Sequence, residues 1–260
     1  MKNLQGKTAL VTGASSGIGE DMARVLAANG THLILVARRA ERLQALAQEL
    51  AAAHGVRADV IAMDLGAPDA TEALHARTEG AGIAVDILIN NAGFGIKGPF
   101  LDTPLEAHRD MNRLNMETLT ELCWHFGRAM RARRSGWILN TASVGGYIPV
   151  PYFATYTAGK SYVLSFGEAL SAELAPEGIT VTTLCPGGTW TEFMSVSGQQ
   201  VSGIQKLGMM PAHKVAEAGL RGLSAGTRVV VPGWLNRVYA PTLRTLPSSL
   251  KTGIARLAMQ

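Results

Sequence analysis

The sequence predicts an α/β domain built on a parallel sheet, and three observations point to it. Short apolar, partly β-branched runs alternate with longer stretches of helical periodicity along most of the chain. The first run, residues 8–11, passes through a glycine cluster into the first helical stretch. The second, residues 32–37 (HLILVA), is apolar throughout, as expected of a strand buried on both faces of a parallel sheet. With 260 residues, 47% hydrophobic and 17% charged, the chain has apolar material for one globular domain over residues 1–260.

Composition narrows the function classes. The net charge of +4 is mildly basic. The densest basic run, Arg128, Arg131, Arg133 and Arg134, lacks an accompanying aromatic pattern, so nucleic acid is not an expected partner. Cys123 and Cys185 each lie in an apolar stretch, outside any CxxC or Cys/His ligand pattern. They read as buried thiols of a reducing compartment, and no metal is expected. Residues 1–7 run straight into the first strand without a leader, and no apolar run reaches the ~18 residues that predict a membrane span. The cytoplasm is the expected compartment.

The first strand ends in Thr12-Gly13-Ala14-Ser15-Ser16-Gly17-Ile18-Gly19. A helix follows, with Met22, Val25, Leu26 and Ala27 at helical spacing and Asn29-Gly30 as its stop. Glycines let backbone approach a pyrophosphate, and a helix N-terminus offers amide donors to it. The spacing T-G-x-x-x-G-x-G departs from the G-x-G-x-x-G fingerprint, and a glycine turn alone is only a turn. Its place between a first strand and a first helix favours a dinucleotide site. Gly13, Ser15, Ser16, Gly17, Ile18 and Gly19 are its candidate contacts.

At the end of the second strand, where an NAD site carries a carboxylate, Ala37 is followed by Arg38 and Arg39. Guanidinium groups pair with a 2′-phosphate that a carboxylate would repel. The alternative is an arginine pair opening a solvated helix over residues 39–52. Position favours NADP(H) over NAD(H), with Arg38 the better candidate.

A third strand, 60–63, leads to Asp64-Leu65. Asp64 either accepts from an adenine amino group or caps a helix beginning near Pro68. A fourth strand, 86–89, leads to Asn90-Asn91-Ala92-Gly93, a cofactor border or a structural turn. After a loop over 94–104, a long helical region covers 105–133 with Asn115 inside it, where an asparagine is unfavourable unless its side chain bonds something. The fifth strand, 137–140, brings Ser143 to the same sheet edge as the glycine turn.

The next helix carries Tyr156 and Lys160 and runs to about Leu174. Four positions apart, the two side chains stack on one face. An ammonium beside a phenol of ordinary pKa about 10 favours the phenolate, which predicts proton exchange near neutral pH. The sixth strand, 179–184, ends in Cys185-Pro186-Gly187-Gly188-Thr189. Residues 190–211 are poorly periodic and contain Met194, Met209 and Met210, which suits an adaptable substrate lid or a surface loop. A helix over 214–223 and a strand over 228–231 follow. Beyond Glu217 there is no acidic residue, and the tail over 236–260 carries Arg237, Arg244, Lys251 and Arg256. With Leu243, Leu246, Leu250, Ile254 and Leu257, it is expected to pack on its own chain or a partner subunit rather than on an anionic membrane or acyl substrate.

The set TGASSGIG at 12–19, NNAG at 90–93, Ser143, YTAGK at 156–160 and PGG at 186–188 resembles the short-chain dehydrogenase/reductase family, in its single-domain branch. The resemblance extends from residue 7 to about 190. It implies a Rossmann-type doubly wound parallel sheet of about seven strands, with helices on both faces and NAD(P) across its carboxyl edge. It implies that Tyr156 protonates a carbonyl oxygen as hydride arrives, and that Ser143 hydrogen-bonds that oxygen. Lys160 would lower the tyrosine's pKa and hold the nicotinamide ribose. Asn115, with Asn112 as a neighbouring alternative, would organise a water relay. Asp64, Leu65, Asn91, Ala92 and Gly93 match adenosine-side contacts; Pro186, Gly187, Thr189 and Thr191 match the nicotinamide-side loop. Ser16 stands where some NADP-preferring members carry a basic residue, so the phosphate contact has to come from the Arg38 side. The implied activity is an NADP(H)-dependent interconversion of a ketone and its secondary alcohol. The apolar loop with Trp190, Phe193, Met194 and Val196 favours a hydrophobic carbonyl compound, the alternative being that these side chains fill the domain's own core. A catalytically silent nucleotide sensor and a lipid-directed reductase at a membrane surface are the weaker readings. The resemblance further implies a homodimer or homotetramer through the helices at 105–133 and 152–174.

Overall fold

A computed structural model of the protein describes residues 1–198 and 208–245, together with 247, 250–253 and 255. Six strands alternate with helices: β1 (Thr8–Thr12), α1 (Gly17–Ala28), β2 (His32–Ala37), α2 (Ala40–His54), β3 (Ala58–Ala62), α3 (Ala70–Ala76), β4 (Ile87–Asn90), α4 (Leu105–Asn112), α5 (Thr118–Arg133), β5 (Gly136–Thr141), α6 (Ala154–Leu174) and β6 (Ile179–Leu184). Then come β7 (Thr189–Trp190), α7 (Phe193–Val196), β8 (Met210–Pro211), α8 (Ala212–Ser224), β9 (Val229–Val230) and α9 (Trp234–Thr245). The main sheet is parallel in the order β3-β2-β1-β4-β5-β6-β9.

The interior of β2 is apolar because each face meets a different helix layer. In β2, Leu33 and Leu35 pack with Leu26, Leu43 and Leu220 of α1, α2 and α8. Ile34 and Val36 point the other way, toward Leu74, Leu122, Phe126 and Val163 of α3, α5 and α6. This is the doubly wound α/β sheet the sequence predicts.

Several boundaries differ from the expectation. The helix over 105–133 is interrupted by a π-helical turn at Arg113–Glu117 that contains Asn115. The helix expected near Pro68 starts at Ala70, after Asp69 in the left-handed region, so Asp64 does not cap it. Strand 228–231 shrinks to Val229–Val230 at the sheet edge. Residues 190–211 are not a plain loop: β7 and β8 pair in parallel across it, and 199–207 lie outside the described residues. The tail packs on its own chain: Leu243 and Ala255 are buried with Ile148. Leu246, Ile254, Arg256 and Leu257 lie outside the description of side chains. Among the described residues, no helix is long and apolar enough to cross a membrane.

Phe126 is fully buried between α5 and the sheet. Phe126→Ala is expected to cost about 3–5 kcal/mol, because the surrounding sheet cannot collapse into the void. Urea unfolding of the two proteins checks it as a drop in midpoint at unchanged slope.

Candidate active site

The sheet order reverses between β1 and β4, so the chain leaves their carboxyl ends in opposite directions and opens a crevice. Thr12 bridges it: its Oγ1 donates to the carbonyl of Ile89 (3.1 Å) and accepts from the amides of Asn91 (2.9 Å) and Ala92 (3.0 Å). The Asn91 side chain donates back to the Thr12 carbonyl at 3.2 Å. Asn90 turns into the sheet and donates to Asn140 at 2.9 Å. Thus Asn90 is structural, while Asn91, Ala92 and Gly93 line the edge. Gly13, at φ 66°, has no room for a side chain: a Cβ would lie 3.0 Å from Ala92 Cα.

At Ser16 helix α1 begins with no side-chain cap, which leaves its first amides directed into the crevice. Arg39 reaches over this turn. Its Nε donates to Ser15 Oγ (3.1 Å) and its Nη2 to Ser16 Oγ (2.7 Å). Arg38, the preferred candidate from sequence, is exposed and makes none of these contacts. Neighbours at a strand end point to different sides, and of the two it is Arg39 that bonds the glycine turn. Asp64 is exposed, with Oδ1 accepting from Gly66 N at 3.0 Å; Leu65 is buried, and its carbonyl accepts from Thr118. An uncapped helix end, a glycine cradle and an arginine above it fit the phosphates of a dinucleotide.

Tyr156 and Lys160 lie on the buried side of α6. Tyr156 is stacked on Phe153 (4.3 Å between centroids) and tilted against Phe193 (5.4 Å). Lys160 Nζ donates to the Thr141 carbonyl at 2.7 Å and lies 5.7 Å from the Tyr156 ring centroid. Ser143 accepts from Gly145 N at 3.0 Å and hydrogen-bonds Tyr156. Asn115 is buried; its Oδ1 accepts from Phe94 N (3.1 Å) and its Nδ2 donates to Phe94 O (2.8 Å). A π-turn that turns an asparagine onto a loop backbone is a common device at functional sites. Gly93 touches both: a Cβ there would lie 2.7 Å from Asn115 Oδ1 and 3.7 Å from Lys160 Nζ.

The proton balance differs from the sequence expectation. Burial pushes the Tyr156 phenol up to about 12, and the Ser143 hydrogen bond only partly opposes it. Burial also pulls Lys160 down to about 8. The Lys160 ammonium donates to the Thr141 carbonyl, and burial moves both groups toward their neutral forms.

Pro186, Gly187, Thr189 and Thr191 form the wall opposite. The Pro186 carbonyl accepts from Val144 N at 2.9 Å, and Thr189 Oγ1 donates to Gly187 O at 3.0 Å. Asn236 of α9 presses against Gly187. Sequence reasoning missed Thr12, Phe153, Asn236 and the ion pairs of Glu192 with Arg39 and Arg42. Thr12, Phe153, Arg42 and Glu192 lie in or beside named motifs and could have been found by position; Asn236 comes from a distant segment.

These features define a nucleotide-binding α/β enzyme fold with a tyrosine-centred site. The family profile for short chain dehydrogenases matches residues 7–202, and the chain belongs to that family. The chain is 30% identical to a 7beta-hydroxysteroid dehydrogenase of Collinsella aerofaciens, over 84% of this chain and 83% of that protein. It is 38% identical to a very-long-chain 3-oxoacyl-CoA reductase of Aspergillus clavatus, over 68% of this chain and 52% of the relative, so it spans about half that relative's length. A solved short-chain dehydrogenase from Sphingobium yanoikuyae in complex with NADPH superposes with a TM-score of 0.82 at 32% identity, covering 94% of this chain and 97% of that one.

The lysine can be tested apart from catalysis. A folded-state pKa near 8, against 10.5 ordinarily, means the unfolded chain binds more protons between those values. Stability attributable to Lys160 therefore rises as pH climbs from about 8 toward 10.5. From pH ~7.5 to ~9.5, wild type is expected to gain on the order of 1–2 kcal/mol relative to Lys160→Met. Parallel urea titrations at the two pH values check it; parallel curves for both proteins would contradict it.

Proposed function

We propose that the chain is an NADP(H)-dependent oxidoreductase that interconverts a hydrophobic ketone and its secondary alcohol. The observation that carries this is the convergence of Ser143, Tyr156 and Lys160 at the sheet edge, beneath the rings of Phe153 and Phe193. The reduced nicotinamide supplies a hydride to the carbonyl carbon when it is bound. The Ser143 hydroxyl holds the substrate oxygen by a hydrogen bond that strengthens as negative charge builds there. The Tyr156 hydroxyl gives that oxygen its proton, and Lys160 orients the ribose and restores charge balance. Asn115 keeps the Phe94 backbone in place behind the lysine and is the candidate relay residue.

A phenol that keeps its proton at neutral pH is the form carbonyl reduction uses. Alcohol oxidation needs the phenolate and gains from alkaline pH. For the cofactor, Arg39 above the glycine turn supports NADP(H), as does the NADPH in the Sphingobium yanoikuyae structure. Phe94, Ile96, Val150, Phe153 and Phe193 surround Tyr156 with apolar surface, which supports a bulky hydrophobic substrate. The names of the relatives place steroid ketones and 3-oxoacyl thioesters first in a panel. A dimer or tetramer is supported by Trp124 and Tyr162, exposed on α5 and α6 at 56% and 40%.

The test follows NADPH and NADH oxidation against steroid ketones, 3-oxoacyl thioesters and aryl ketones. Tyr156→Phe is expected to lower kcat/KM by about 10²- to 10⁴-fold with cofactor Kd near wild type. Lys160→Ala is expected to harm both. Undiminished turnover in Tyr156→Phe would remove the assignment, whereas tight NADPH binding without any turnover would favour a sensor. Sedimentation equilibrium of wild type and Trp124→Glu tests the assembly: a lighter species in the variant is expected.

A further inference from the structure

We propose that Glu192 is a specificity-determining residue of the cofactor site. Its carboxylate holds the arginine pair that a 2′-phosphate requires, so a phosphate-bearing cofactor frees the adjacent lid as it binds and NAD(H) does not. The inference rests on the NADP(H) reading above.

Three consecutive lid residues touch three different parts of the site. Thr191 lies over the glycine turn: a Cβ on Gly17 would meet its Cγ2 at 2.9 Å. Glu192 bridges two arginines, with Oε2 accepting from Arg39 Nη1 at 2.7 Å and Oε1 from Arg42 Nη1 at 2.6 Å. Phe193 leans on the ring of Tyr156. The central residue of the three is the charged one. Arg39, its partner, simultaneously bonds Ser15 and Ser16 at the uncapped start of α1. The carboxylate therefore sits where the phosphate of the adenosine ribose would find its two guanidinium donors.

Glu192 is easily displaced by a better anion. Its side chain is 44% exposed and those of Arg39 and Arg42 are 42% and 53% exposed, so water weakens both pairs. A phosphate monoester brings close to a second negative charge and three acceptor oxygens to the same donors. The two guanidinium bonds hold the Glu192 carboxyl at about 2, so it is ionised throughout the physiological range and yields to an anion rather than to a proton. A cofactor without the 2′-phosphate has no differential interaction with the clasped and released lid at this point and cannot shift between them. Linkage makes the effect reciprocal: removing the carboxylate must tighten whatever competes with it.

The full chain is titrated calorimetrically with adenosine 2′,5′-bisphosphate and with adenosine 5′-monophosphate, and hydrogen exchange is followed at residues 189–198. Glu192→Gln is expected to tighten the bisphosphate about two- to fivefold and to leave the monophosphate unchanged. In wild type the bisphosphate, and not the monophosphate, is expected to speed exchange at 189–198; in Glu192→Gln that exchange is already fast. If wild type prefers the bisphosphate but Glu192→Gln binds it equally or more weakly, the role of Glu192 is overturned and the NADP(H) reading stands. If wild type binds the two nucleotides equally, the NADP(H) reading itself falls, and the role of Glu192 with it.

Discussion

One hydroxyl, that of Thr12, holds together the two strand ends on which the site is built. It uses its whole hydrogen-bonding capacity, one bond given to Ile89 and two accepted from Asn91 and Ala92. Without it two backbone amides at the crevice would lose their partners, at about 1–3 kcal/mol each. With it, the turn after β1 and the turn after β4 approach so closely that Gly13 has no room for a side chain.

Behind the tie, dryness governs the chemistry. Tyr156 and Lys160 are nearly without solvent contact, and burial moves each toward its neutral form. The tyrosine keeps its proton and the lysine surrenders its own more easily. Ser143 and the Thr141 carbonyl decide how far each shift goes, since they are the polar partners within reach. Phe153 and Phe193 pack on the Tyr156 ring and keep water off the phenol.

Residues 191–193 connect these two regions. Three adjacent residues, Thr191, Glu192 and Phe193, thus contact the glycine turn, the arginine pair and Tyr156 in turn. The parallel pairing of β7 with β8 braces the base of this segment, and Asn236 from α9 closes behind Gly187. The C-terminal helix thus belongs to the architecture of the site.

Local patterns in the sequence were enough to specify the strand-turn-helix units, the glycine turn, and Ser143, Tyr156 and Lys160 on one sheet edge. Periodicity, caps and i,i+4 stacking act between near neighbours and leave their record there. The interior of β2 was readable for the same reason, since only a strand covered on both faces is apolar throughout. Tertiary structure alone decided that Arg39 rather than Arg38 spans the turn, and that Arg42 meets a glutamate 150 positions away. It also decided that Asn115 opens the long helix into a π-turn to hold Phe94, and that Tyr156 is too dry to ionise readily beside its lysine. Side-chain direction and desolvation depend on which distant segments pack there, and no local pattern records that.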